Sequence, residues 1–107
     1  MKISELAEKL ELKKLSGEAD KELSSCYISD LLSRVLGGCG EGDVWITVQS
    51  SINMVAVAVM VEAGCVILPE GLTAEVSVIE RANQEDLTIL TSPDTAYVLA
   101  KKISVLI

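Results

Sequence analysis

Apolar positions along the chain fall into short runs with two kinds of spacing. Val44-Trp45-Ile46-Thr47-Val48 and Cys65-Val66-Ile67-Leu68 are nearly continuous, bounded by Gly42-Asp43, Gly64 and Pro69-Glu70-Gly71. Runs of this length between turn residues predict strands, and continuous apolar character suits a sheet covered on both faces. Between them lie a polar turn, Gln49-Ser50-Ser51-Ile52-Asn53, and an apolar stretch from Met54 to Ala63. Together they read as one βαβ unit. From its residues alone the apolar stretch is open to two readings. Val55, Val57, Val59 and Val61 alternate with Ala56, Ala58 and Met60, as in a strand. A serine cap, the length of the run and a glycine stop at Gly64 favour a helix. As a helix it is apolar nearly all round and needs cover on more than one side.

The rest of the chain extends the alternation. Ser4 begins an amphipathic helix with Leu6, Ala7 and Leu10 on one side and Glu5, Glu8 and Lys9 on the other. Leu12 to Leu15 predicts a short edge strand blunted by lysines, followed by a charged turn, Gly17 to Glu22. Ser24 to Ile28 reads as a strand, with Ser29-Asp30 capping a helix from Leu31 to Leu36. Thr73 opens a further helix, with Val76, Ile79 and Ala82 as its buried stripe. Leu87 to Thr91 is a strand, Ser92-Pro93-Asp94-Thr95 a turn and cap, and Ala96 to about Ile103 a helix. The apolar ending Ile103-Ser104-Val105-Leu106-Ile107 packs back on the domain or meets a second chain. The pattern predicts an α/β fold: three layers, α/β/α, with a mainly parallel sheet of about four to five strands. One domain over residues 1–107 accommodates it.

Composition narrows the chemistry. A formal net charge of −7 and only three aromatic residues, Tyr27, Trp45 and Tyr97, argue against nucleic acid, which calls for clustered cations and stacking rings. No apolar run reaches the roughly 18 residues of a membrane span and no signal peptide pattern is present, so a cytoplasmic location is expected. There is no histidine, and Cys26, Cys39 and Cys65 are too few and too far apart for zinc. No catalytic pair, metal or cofactor is expected. Cys26 and Cys65 read as inert core thiols, whereas Cys39, between two glycines, reads as exposed. Gly37-Gly38-Cys39-Gly40-Glu41-Gly42 is glycine-rich. It lies between a helix and a strand and lacks the Lys-Ser/Thr ending, so it is a connection rather than a phosphate loop.

In an open α/β sheet a ligand sits beyond the carboxyl ends of the strands, at a switch in strand order. That rule gathers Gln49, Ser50, Ser51 and Asn53 from one turn, Glu70 and Gly71 from a second, and Thr91 and Ser92 from a third. Each turn opens a helix whose amino end can receive an anion.

Tyr27-Ile28-Ser29-Asp30-Leu31-Leu32-Ser33, Glu41 to Gln49 and Asn53 to Ala58 together resemble the DRTGG domain family, in its small stand-alone form, over nearly the whole chain. The resemblance implies an α/β/α fold like the N-terminal domain of HPr kinase/phosphorylase, and makes Ile52 to Glu62 a helix. It implies a regulatory or dimerising module, of the kind found beside CBS domains in pyrophosphatases, with no catalysis of its own. The chain departs from the pattern at Asp20-Lys21 and Ser24-Ser25-Cys26, where the name-giving motif falls, and at Pro69-Glu70-Gly71. Loss of glycine weakens phosphate binding, which needs close backbone approach. The expected function is a non-catalytic regulatory or interaction domain acting as a homodimer, with an unidentified protein partner as a further expectation. The alternative is a small-molecule sensor taking a nucleotide or another anion at the strand ends.

Overall fold

Four of the apolar runs lie side by side, and a lysine-bearing fifth closes one edge. The computed structural model describes residues 1–107 in the order α1 (Ile3–Leu10), β1 (Lys13–Ser16), β2 (Cys26–Ile28), α2 (Leu32–Gly38), β3 (Val44–Ile46), α3 (Ile52–Met60), β4 (Cys65–Leu68), α4 (Val76–Gln84), β5 (Ile89–Thr91), α5 (Ala96–Ser104). The sheet order is β1-β5-β4-β3-β2. Strands β2 to β5 are parallel and β1 is antiparallel to β5, with Lys13 opposite Thr91. The fold is three-layered α/β.

Side-chain alternation divides the core in two. Trp45, Val66 and Ile89 point to the side of α2, α3 and α4, where Val35, Met54, Ala58, Val78 and Ala82 meet them. Val44, Ile46, Cys65, Ile67 and Leu90 point to the other side, against Leu6 and Leu10 of α1 and Leu99 and Ile103 of α5. Both faces are covered, which is why β3 and β4 are apolar at consecutive positions. Each fully buried aliphatic side chain contributes roughly 1.5–3 kcal/mol. Successive crossovers between neighbouring parallel strands step the same way with the same hand, so α2, α3 and α4 share one face.

Several details differ from the sequence reading. Helix α4 begins at Val76, not Thr73, and buries Val78 and Ala82; Val76 is 71% exposed. The inward face runs through Val78 and Ala82 with Ile79 half-buried beside them, and Val76, in the first turn, stands off the sheet. Gly64 is not the left-handed stop after α3, since the positive φ belongs to Glu62. Gly64 answers crowding: a Cβ there would lie 2.6 Å from the Gly42 carbonyl oxygen. Cys39 is buried rather than exposed, because α2 continues through Gly38 and tucks the thiol under the helix end. A Cβ at Gly38 would lie 2.5 Å from the Tyr27 hydroxyl oxygen, so any larger residue there has to displace the Tyr27 ring. Strands β2 to β5 run in sequence order, so no reversal occurs among them. The one divergence is between β4 and β5, whose following helices, α4 and α5, take opposite faces. In the tail, Leu106 packs on the α1/α5 side and Val105 is 81% exposed.

Candidate functional site

The carboxyl edge of the sheet is organised by Asp30, which does not cap α2; the N-cap there is Leu31, without a side-chain bond. One Asp30 carboxylate oxygen accepts from the Thr47 hydroxyl and the Val48 N–H, both at 2.9 Å. Its carbonyl accepts from the Gln49 amide at 2.8 Å, and the Gln49 N–H donates to Thr47 Oγ1 at 3.1 Å. The Trp45 indole donates to the Ser29 carbonyl at 2.9 Å. The turn after β2 is thereby strapped to the turn after β3. The strap supplies acceptors that the loop backbone would otherwise lack.

The strapped turn forms the upper end of a depression of about 440 Å³, with Gln49, Ser50 and Ser51 on one wall and Glu75, Ser77 and Val78 on the other. It continues between α3 and α4 as a second hollow of about 220 Å³ along Ile52, Ala56 and Val59, rimmed by Arg81 and Glu85. The amino ends of α3 and α4 both open here. Neither Ser51 nor Glu75 caps its helix with a side chain, and the N–H groups of Ile52, Asn53, Val76 and Ser77 have no acceptor within the protein. Helix amino ends in this state attract anions. The Glu75 carboxylate on the rim opposes that, and Arg81 is held 3.6 Å from Glu85.

The predicted site residues separate into two groups. Gln49, Ser50 and Ser51 line the depression, and Asn53 is exposed on α3 outside it. Glu70, Gly71, Thr91 and Ser92 instead close the divergence between β4 and β5 on itself. Glu70 N–H donates to the Asp94 carbonyl and Gly71 N–H to the Ser92 carbonyl, both at 2.8 Å. Thr91 Oγ1 donates to the Leu72 carbonyl at 2.6 Å, and Ser92 Oγ accepts from the Asp94 N–H at 3.1 Å. Glu75 and Ser77 are not among the residues that the strand-end rule gathers, and Asp30 reads from the sequence as a cap. A carboxylate just after a strand signals a cap or a strap equally well, and only the neighbouring strand distinguishes them.

The rest of α3 bears on the site. Met54, Val55, Val57 and Ala58 are buried, while Ile52, Val59 and Met60 are 43%, 38% and 70% exposed. The helix carries no charged residue. The thiols offer no chemistry: burial, reinforced by the charge of Asp43, pushes Cys39 and Cys26 up to about 11, and burial pushes Cys65 to about 12. Asp20, at the place of the name-giving motif, is used within the fold. Its two oxygens accept from the Ser4 N–H at 2.8 Å and the Ser4 hydroxyl at 2.7 Å, capping α1 from outside the helix.

No model of a known protein family matches the chain, and no curated protein matches it in sequence. Among solved structures it is similar to the CBS and DRTGG domains of the regulatory region of Clostridium perfringens pyrophosphatase, in complex with the activator diadenosine tetraphosphate. The TM-score is 0.75 at 14% identity, covering 92% of this chain and 44% of that one, so the chain spans less than half of that relative's length. No helix is long and apolar enough to cross a membrane. At that identity the likeness is one of architecture, and the fold is DRTGG-like.

Proposed function

We propose that this chain is a non-catalytic regulatory or interaction domain that works by pairing with a second copy across α3. The observation that carries the reading is the row Ile52, Val59 and Met60, apolar and exposed on a helix without charge. Two copies of a −7 chain repel one another, so an uncharged face is where they can meet. Two-fold pairing is the commonest way to hide such a surface. The regulatory setting of the similar pyrophosphatase region supports the same reading. Sedimentation velocity at micromolar concentration tests it: the wild type is dimeric, and Val59→Lys or Met60→Lys is monomeric with an unchanged far-ultraviolet spectrum. A wild type that stays monomeric up to its solubility limit refutes it.

A second reading is favoured by the unpaired N–H groups of α3 and α4 facing one depression, and by the nucleotide activator of the similar structure. Here the domain senses a nucleotide or related anion. Diadenosine tetraphosphate or ATP then raises the melting temperature, and Ser51→Glu, which sets an anion at the α3 amino end, removes the rise. A flat response of the wild type to both nucleotides counts against this reading and leaves the pairing reading standing.

A further inference from the structure

At the opposite end of the sheet, between α1 and the segment after β1, lies a cavity of about 390 Å³. Its floor is apolar: Ile3 and Leu90 are buried and Ala7 is half-buried. Its wall, Gly17 to Ala19, is held in place from outside. Gly17 N–H donates to Asn83 at 2.9 Å, and the Glu18 and Ala19 N–H groups donate to Asp86 at 2.9 and 3.2 Å. A cavity so framed is preformed.

Thr88 sets this cavity apart. Six polar or charged residues are buried in the protein, and five of them use their side-chain oxygens in hydrogen bonds. Ser16 bridges Leu87 and Ile89, Thr47 bonds Asp30, Thr91 bonds Leu72, Ser92 accepts from Asp94 N–H, and Asp43 accepts from Gly40 N–H. Thr88 is 2% exposed, its hydroxyl makes no hydrogen bond within the protein, and yet no buried oxygen is sealed from solvent without a partner. The hydroxyl therefore opens to the cavity that Thr88 lines. A hydroxyl that reaches the cavity and has no partner within the protein is free to accept from a donor that enters there.

The charges around the opening select the partner. Lys14, Glu18 and Asp20 give the lining a net charge of −1 in a chain of −7, which disfavours a phosphate or carboxylate. Each Asp20 oxygen accepts one hydrogen bond from Ser4 and keeps a lone pair for a second donor. Glu18 touches Lys14 only at 3.7 Å and its side chain is 91% exposed, so it is free to turn inward. We infer that this cavity binds a small primary ammonium compound with an aliphatic body. Its ammonium group lies between Glu18 and Asp20 and donates to the Thr88 hydroxyl, and its carbon chain rests on Ile3, Ala7 and Leu90. The ammonium chemistry is shared by a simple alkylamine and by an aliphatic amino acid, whose carboxylate would in addition meet Lys14.

Calorimetric titration of the full chain with n-butylamine, leucine and butyrate tests the inference. Binding of n-butylamine, of leucine or of both, with none of butyrate, is expected; leucine alone assigns the zwitterion. Thr88→Val keeps the shape, melts no lower than the wild type, and weakens binding about tenfold, the worth of one hydrogen bond to a charged group. Glu18→Gln, at an exposed position that cannot unfold the protein, weakens it as well. Silence from both amines at millimolar concentration overturns the inference, as does butyrate binding equal to that of n-butylamine. Unchanged affinity in Thr88→Val overturns it too, and leaves the hydroxyl partnered by water alone.

Discussion

Helices α1 and α3 meet the same demand in opposite ways. Each must bury one side against the sheet. α1 does so with Ile3, Leu6 and Leu10 and turns Ser4, Glu5, Glu8 and Lys9 to water. α3 buries Met54, Val55, Val57 and Ala58 and turns Ile52, Asn53, Ala56, Val59 and Met60 outward. Their amino ends differ in the same sense. Asp20 and Glu5 satisfy the donors of α1, the latter by accepting from Lys2 N–H at 3.1 Å, while those of α3 are left open. The fold dictates only the inward halves. What α3 presents outward is not needed for folding, and it is this surface that the proposed pairing uses.

The comparison is broken most forcefully on the inner side of α3. Ala58 is 1% exposed and packs in the core with Trp45 and Val66. Ala58→Leu overpacks that site and should destabilise by ~1–3 kcal/mol in urea unfolding. Ala56→Leu, two residues away on the exposed side, should stay within about 0.5 kcal/mol. Equal effects would mean that α3 has no distinct outer face.

Next in size is the strap that positions the amino end of α3. Asp30→Ala removes the carboxylate that accepts from Thr47 and Val48 and should cost about 1 kcal/mol, below the usual range for hydrogen bonds to a charged group because Asp30 is exposed. Hydrogen exchange should quicken at Val48 and Gln49 and stay unchanged in α1. An unaltered Val48 amide would show that the strap does not hold the turn.

Cys39 gives a chemical rather than energetic contrast. With its thiol pushed to about 11 by burial, iodoacetamide at pH 8 should label native protein far more slowly than unfolded protein. Labelling at the rate of a free thiol would return Cys39 to the exposed position that its glycine neighbours imply.

How much of this was legible follows from range. The strands, the buried side of α1 and the extent of α5 were readable because local periodicity and caps match what each element buries. The limits of α4 and the burial of Cys39 were not, since both depend on where a helix starts or stops within a glycine-rich or weakly patterned stretch. The roles of Asp20 and Asp30 depend on residues 16 to 19 positions away, and that of Thr88 on segments far from it in sequence. Thr91 and Ser92 were readable as strand-end residues, but the facing Glu70–Leu72 turn that consumes their polar groups was not.

The smallest effect separates the two helices by pH. Asp20 is held below the usual carboxylate value, first by the Ser4 N–H and then by the Ser4 hydroxyl, and Asp86 likewise by the Glu18 and Ala19 N–H groups. A carboxyl depressed in the folded state stabilises it above the unfolded value of 3.8, and that contribution is lost as pH falls through the lower folded value. Asp20→Asn should therefore melt slightly below the wild type at pH 7, with the gap closing below about pH 4 as the native carboxyl takes up its proton. Both groups are solvent-exposed, so salt narrows the gap at neutral pH. Ala58→Leu, acting through packing, should lower the melting temperature by a similar margin at both pH values. A gap for Asp20→Asn that persists undiminished at pH 3 would show that the α1 cap works through shape and not through charge.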